Sequence, residues 1–342
     1  MVQLGSSACF PSHPHCRYAR WASSWLTFQL EKHPRLDWIL IMQKTSKIKF
    51  DFIDAISLPV FALTMIAEAR TLQNRPHLRA LGDLDEASEE ELSGSDSNPD
   101  PLVPVGYETN DTKASLKMLA GNITINTLFS LLLGKFYRTL YSNRIFNIKN
   151  RKLSFLIAMI GWDFLYYWSH RLQHERRIFW ANHVTHHSSE HYNLSTALRQ
   201  PWSGYLVSWV HMPLPLLGIP VEQVMKAGQL NLLYQYWIHT ETIGRLSKPI
   251  ENLFNTPSHH RVHHGANPQY IDKNYAGILI TWDKIFGTFE PEVRKVKYGL
   301  TKNIKTFKPL RIAYHELTDL FSDFRKEKGW KNKISCLLDH PD

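Results

Sequence analysis

Eight histidines in three short clusters constrain this chain more than any other feature of its sequence. The clusters are His170-x3-His174, His183-x2-His186-His187 and His260-x2-His263-His264. Residues three and four positions apart lie on the same side of an α-helix, so each cluster is expected to point its imidazoles in one direction. Neutral imidazole binds zinc, copper, iron and nickel well, and one four-coordinate ion cannot use so many nitrogens. The pattern therefore predicts two metal ions held by helices.

A purely structural explanation of these histidines is less satisfactory. A single histidine pair at helical spacing is more often a surface accident than a ligand set, but this chain has three clusters and repeats His-x2-His-His. A metal-buffering tract would be polar and low in complexity. These clusters instead lie among Trp, Tyr, Phe and Leu, which favours buried metal chemistry.

The histidine spacing resembles that of the fatty acid hydroxylase and sterol desaturase superfamily of integral-membrane di-iron enzymes. Within that superfamily, the amino-acid sequence around the clusters is most similar to the alkylglycerol monooxygenase branch, from about Tyr107 to Phe307. The resemblance implies an all-α, integral-membrane protein with a histidine-rich di-iron helical cap on the cytosolic side. The stretches that carry it are 162–171, 186–200, 234–241, 255–265, 271–277 and 282–290.

The superfamily's pattern implies a specific set of metal ligands in this chain. His239 joins the clustered histidines because relatives carry an additional ligand between the second and third clusters. Gln235, four residues earlier, replaces a further histidine of some relatives and is a candidate hydrogen-bond donor. His191, His211 and His259 are weaker candidates for contact with metal or substrate. The implied ligands are His170, His174, His183, His186, His187, His239, His260, His263 and His264.

Carboxylates near the histidines are candidate catalytic groups. A metal-bound imidazole usually donates its other N–H to a carboxylate or a carbonyl, which fixes the ring and makes it more basic. Asp163 lies two helical turns before His170, inside an apolar segment where an ionisable residue needs a partner. Glu175, Glu241 and Asp283 are the other candidates. For each of them, a salt bridge or a helix cap is the alternative interpretation.

The resemblance implies lipid oxidation with two iron ions and O2. Bound ferrous ions can activate dioxygen against an unactivated C–H bond, which acid–base residues alone cannot attack. In the alkylglycerol monooxygenase branch, the carbon next to an ether oxygen is hydroxylated. The resulting hemiacetal splits into a fatty aldehyde and a glycerol derivative. The implied electron donor is tetrahydrobiopterin.

Two other functions remain open at this point. A sterol or fatty acyl hydroxylase or desaturase of the same superfamily would contain the same histidines and take electrons from a redox protein. A membrane metal-binding protein without turnover would be expected to have lost ligands, and none of the implied ligands is missing.

Composition favours a membrane location over nucleic-acid binding. The formal net charge of +9 suits an anionic lipid surface, and the scattered Lys and Arg residues accompany no nucleic-acid motif. The expected compartment is the endoplasmic reticulum if the source is eukaryotic and the cytoplasmic membrane if it is bacterial.

The chain divides into four predicted parts. Residues 1–49 form an N-terminal extension of unknown role, and 50–150 hold membrane helices (Phe52–Ala67 and Leu116–Phe136) with an acidic loop at 82–104. Asp111 and Thr112 are the predicted N-terminal cap of the second helix. Residues 151–290 form the catalytic domain, and 291–342 form a basic polar tail. Within the catalytic domain, Leu153–Trp168 is a third predicted span, and Tyr205–Ile219, interrupted by prolines, is a broken or re-entrant helix.

Overall fold

The computed structural model describes residues 52–74 and 106–341. The predicted extension at 1–49 and the acidic loop at 82–104 lie outside these residues. All regular secondary structure in the described parts of the chain is helical, so the all-α prediction is confirmed there. The described residues from Pro59 onward form one compact unit.

The helices begin and end at the following residues: α1 Phe52–Asn74, α2 Thr109–Ser142, α3 Arg151–Glu175, α4 Arg177–His187, α5 Pro213–Leu216, α6 Val221–Ile238, α7 Lys248–Leu253, α8 Pro257–His263, α9 Thr281–Phe286, α10 Pro309–Lys326 and α11 Trp330–Leu338, with 3-10 helices at Thr196–Leu198 and Gly204–His211.

The three predicted spans all form helices, and each helix is longer than predicted. No single helix among the described residues is both long enough and apolar enough to cross a membrane. The bent pair Thr109–Ser130 and Leu132–Ser142, with an angle of 45° between its parts, satisfies both conditions. The prediction for Tyr205–Ile219 is confirmed, because this stretch is broken into a 3-10 helix and the short α5.

The predicted cap of α2 is wrong. Glu108 caps this helix, with its side chain accepting a hydrogen bond from the Asp111 backbone N–H at 2.6 Å. Asp111 lies in the first turn of the helix and instead pairs with Arg199, whose Nη1 is 2.9 Å from Oδ1. Arg199 also donates to Ser188 Oγ at 3.0 Å, immediately after the second histidine cluster. This buried ion pair therefore fastens the end of α4 to α2.

The core beneath the histidines is formed by α3 and α6. Ala158 and Trp162 of α3 pack with Val224 and Ala227 of α6 in one buried apolar cluster. The helices approach closely at Gly228, where an added Cβ would lie 2.9 Å from the Trp162 indole nitrogen. This packing positions the C-terminal part of α3, which carries His170 and His174, and the end of α6, which His239 follows directly.

The predicted basic tail contains two helices. Helix α10 buries Ile312, Ala313 and Leu320. Arg177, at the start of α4, pairs with Glu316 and Asp323 of α10 at 2.9 Å each. An apolar stripe at helical spacing therefore makes part of this segment an integral layer beside α4.

Candidate metal centre

The structure brings the nine implied ligands together in two groups. One group contains five histidines and the other four, and within each group the candidate ligand atoms lie within 4.8 Å of one another. All nine side chains are buried. The first group is His170, His174, His183, His187 and His263, and the second is His186, His239, His260 and His264.

Each His-x2-His-His cluster contributes to both groups. On α4, His183 and His187 face the group of five, whereas His186 faces the group of four. The expectation that each cluster points in one direction is therefore wrong for these two clusters. Successive helical residues are rotated by about 100°, so adjacent histidines diverge, while residues four apart stay together. The third cluster, at 260–264, divides in the same way, with His263 separated from its neighbours.

Backbone carbonyls orient several of the rings through their Nδ1 atoms. Nδ1 of His170 lies 2.7 Å from the Tyr275 carbonyl oxygen, and Nδ1 of His239 lies 2.6 Å from that of Gln235. Nδ1 of His263 lies 3.0 Å from the Lys273 carbonyl. A carbonyl only accepts, so these Nδ1 atoms carry the proton and the Nε2 lone pair points inward.

The inward-facing nitrogens fit a cation. Nε2 of His239 lies 3.1 Å from Nε2 of His186, 3.0 Å from that of His260 and 3.2 Å from that of His264. Burial lowers the pKa of His239 to about 4, so its ring is neutral and its Nε2 is an acceptor that faces other nitrogens.

The group of five has the same character. Nε2 of His170 faces Nε2 of His183 at 2.8 Å. Nε2 of His174 and of His263 are buried and have no hydrogen-bond partner among the described residues. Burial is the largest cause that lowers the pKa of His170 and His183 well below the usual value, and the neighbouring histidines lower it further. Converging imidazole nitrogens with unshared lone pairs form the kind of donor set that a transition metal binds.

Asp163 has different partners from those predicted. Its carboxylate accepts hydrogen bonds from the backbone N–H groups of Ile278 and Leu279 at 2.7 and 3.1 Å. Asn231 and Trp282 donate to it as well, at 2.7 and 2.9 Å. Asp163 therefore fixes the loop that follows Tyr275 and does not bind the Nδ1 of His170.

The other candidate carboxylates also lie away from the inward-facing nitrogens. Glu175 forms an ion pair with Arg171 on the same helix at 2.8 Å. Asp283 accepts from the backbone N–H groups of Tyr275 and Ala276 at 2.7 and 2.8 Å and thereby supports the loop that orients His170. Burial raises the pKa of Asp283 to about 6.

Glu241 is a half-buried residue close to the second group in sequence. Its Oε1 accepts a hydrogen bond from Tyr298 at 3.0 Å, and the Tyr298 ring stacks on Tyr192 at 4.6 Å. Tyr192 in turn stacks on His239, with ring centroids 5.8 Å apart. Burial raises the pKa of Glu241 to about 7. Its catalytic role stays a prediction.

Asp272 is the carboxylate that the sequence-based reasoning missed. Its Oδ1 lies 3.5 Å from Nδ1 of His174, and its Oδ2 lies 2.5 Å from Nε2 of His340. Asp272 occupies a left-handed backbone conformation with φ 61°. Its position nine residues after His263 was a usable signal, because a loop following a ligand helix can return to the metal site. The left-handed turn that brings it back was not visible in the sequence.

The weaker histidine candidates lie outside both groups. His259 pairs with Glu251 at 2.8 Å, and His211 stacks on Trp162 at 4.4 Å between ring centroids. His191 also belongs to neither group. The Gln235 side chain donates to Asn231 at 2.7 Å, so the contact of this residue with the site is made by its carbonyl, on His239.

A helical scaffold that buries two groups of imidazole donors, each of which could hold a metal ion, defines a histidine-rich candidate metal centre. Residues 155–288 match the sequence model of the fatty acid hydroxylase family, which confirms the resemblance drawn from the histidine spacing. The matched residues lie within the predicted catalytic domain at 151–290.

Similar proteins include alkylglycerol monooxygenases. The human protein is 52% identical over 199 residues, which cover 58% of this chain and 44% of that protein. The Caenorhabditis elegans protein is 40% identical over 178 residues, 51% of this chain and 35% of that protein. Ornithine lipid hydroxylase from Rhizobium tropici is 28% identical over 153 residues, 44% of this chain and 46% of that protein. The chain thus spans less than half the length of these relatives. No solved structure matches it.

Proposed function

We propose that the protein is a membrane-bound di-iron monooxygenase that cleaves the ether bond of alkylglycerols. The observation that carries the proposal is the division of nine buried histidines into groups of five and four, which supplies enough nitrogens for two ions and leaves room for other ligands. Relatives named alkylglycerol monooxygenase support the substrate class.

The proposed reaction places one oxygen atom of O2 in the C–H bond next to the ether oxygen. The other oxygen atom becomes water by taking up two electrons and two protons from a tetrahydropterin. The hemiacetal then breaks its C–O bond to give a fatty aldehyde and glycerol. Two bound irons would supply the activation of dioxygen.

The chain's own residues contribute orientation and the exclusion of water. Carbonyl oxygens of Tyr275, Gln235 and Lys273 hold Nδ1–H groups so that Nε2 lone pairs point inward. Asp163 and Asp283 hold the loop that carries the Tyr275 carbonyl. Rings fixed in this way do not need to reorganise when an ion binds.

Exposed apolar side chains support the proposed membrane location. Leu128, Leu132 and Phe136 on α2 are 67%, 64% and 47% exposed, and Leu153 and Leu156 on α3 are 49% and 55% exposed. Soluble surfaces rarely show so many large apolar residues together. A lipid environment would cover them and would bring the lipid substrate to the same helices.

Metal content tests the first half of the proposal. Protein prepared without oxygen and loaded with Fe²⁺ is expected to contain about two irons per chain, because one ion cannot use nine nitrogens. His239→Ala, which removes the nitrogen that faces three others, should lower the content to about one. His191→Gln, outside both groups, is the matched control and should retain both irons. One zinc per chain without iron uptake would overturn the di-iron proposal.

Product analysis tests the substrate. Membranes that contain the protein should release fatty aldehyde from a 1-O-alkylglycerol when supplied with O2 and tetrahydrobiopterin. A second candidate, hydroxylation of another lipid, is favoured by the likeness to ornithine lipid hydroxylase. A hydroxylated sterol, acyl chain or ornithine lipid without aldehyde, formed with a redox protein as donor, would favour that candidate.

A further inference from the structure

A cavity of about 770 Å³ lies between the metal centre and helix α10. Its lining includes four of the implied ligands, His174, His187, His263 and His264, and the indole of Trp180. Helix α10 contributes Asp319 and Ser322 to the same lining. The cavity therefore gives a molecule from outside direct access to the histidines of both groups.

The lining is unsuited to an alkyl chain. It includes Lys302, Arg311 and Asp319, and burying such groups against hydrocarbon without partners is costly. The exposed leucines of α2 and α3 lie outside this lining. The cavity thus suits a water-soluble molecule, and the proposed reaction requires one in addition to lipid and O2, namely the electron donor.

Two features of the lining match a flat amino-heterocycle. Trp180, whose ring centroid is 5.2 Å from that of His174, offers an aromatic wall next to the metal site. Asp319 is exposed to the cavity and makes no hydrogen bond or ion pair within residues 52–74 and 106–341, whereas Arg177 engages the neighbouring Glu316 and Asp323. A free carboxylate can accept two parallel N–H bonds from an aminopyrimidinone edge.

We infer that this cavity binds the reduced pterin, with its aminopyrimidinone edge on Asp319 and its ring system beside Trp180. The inference rests on the proposed function, which requires two electrons per turnover. A tetrahydropterin supplies them together with two protons and leaves as a dihydropterin, while the second oxygen atom of O2 leaves as water. Volumes of this size are typical of small-molecule sites.

Direct binding tests the inference without relying on turnover. Iron-loaded, full-length protein in detergent is dialysed to equilibrium against tetrahydrobiopterin without oxygen. Asp319→Asn should raise the Kd about tenfold or more, because it removes a charged acceptor. Ser322→Trp should raise it at least as much by filling the cavity, whereas Ser322→Ala should not. Glu327→Gln, just beyond α10 and outside the lining, is the carboxylate control and should bind like the wild type.

The outcomes separate this inference from the proposed function. Asp319 and Ser322 are both exposed, so iron content and melting temperature should stay at wild-type values in the variants. Wild-type protein that does not bind the pterin, or variants that bind it unchanged, would overturn the cavity assignment even if aldehyde is formed. Binding that both variants weaken, in a protein that releases no aldehyde from alkylglycerols, would support the cavity and contradict the substrate.

Discussion

Asp163→Asn is expected to destabilise the fold and the metal centre together. Asp163 is only 2% exposed, and its two carboxylate oxygens share four donors. Oδ1 accepts from Ile278 N–H and the Asn231 amide, and Oδ2 accepts from Leu279 N–H and the Trp282 indole. An asparagine side chain has one oxygen, so two of these donors would face an amide NH2 group.

The cost follows from the two lost acceptors. A buried donor left unsatisfied costs about 1–3 kcal/mol, so the substitution should lower the free energy of unfolding by about 2–6 kcal/mol. For a chain of 342 residues, that corresponds to a melting temperature lower by roughly 3–8 °C. Iron content should fall as well, because the loop that Asp163 holds carries the carbonyl that orients His170.

Thermal unfolding followed by tryptophan fluorescence measures the effect, with Trp282→Phe as the single-donor comparison. Trp282→Phe should lower the free energy of unfolding by less than Asp163→Asn does. Its effect should be smaller in the Asp163→Asn background than in the wild type, because the indole has there already lost its charged acceptor. An unchanged melting temperature and iron content in Asp163→Asn, combined with lost turnover, would refute the positioning role and make Asp163 a catalytic group.

Other perturbations test separate parts of the structure. Asp272→Asn should weaken iron binding about 10–100-fold in chelator competition, because Asp272 supports His174, and unchanged affinity would contradict this role. Arg199→Met should lower the free energy of unfolding by about 3–5 kcal/mol in denaturant, because it leaves a buried carboxylate unpaired. Adding Asp111→Leu should restore most of the lost free energy. A double variant that stays as unstable as Arg199→Met would refute the ion-pair explanation. Gly277→Ala should lower the melting temperature, since the new Cβ would lie 2.5 Å from a side-chain oxygen of α6; a wild-type melting temperature would show that this contact relaxes freely. Chelation of the iron should lower the melting temperature in proportion to binding strength, and no change would argue against ions in these groups.

The sequence by itself indicated eight of the nine histidines that meet and the helical scaffold that carries them. Helical spacing within 170–174, 183–187 and 260–264 reflects local geometry, which depends only on the chain's own rise and rotation. The same local logic identified the broken helix at Tyr205–Ile219, because Pro213 and Pro215 lack the backbone N–H that a continuous helix would use there. His239 was found through resemblance and not through spacing.

Only the tertiary structure decided how those residues are shared and supported. His186 and His187 are adjacent in sequence yet face different groups, and this assignment depends on where α3, α6 and α8 lie around α4. Asp272, which the sequence did not indicate, reaches His174 through a left-handed turn. Asp163 was predicted to support a ligand ring, but its carboxylate instead accepts hydrogen bonds from the loop at 278–279. Local periodicity fixes the side of a helix on which a residue lies, but the partner on that side is supplied by segments distant in the chain.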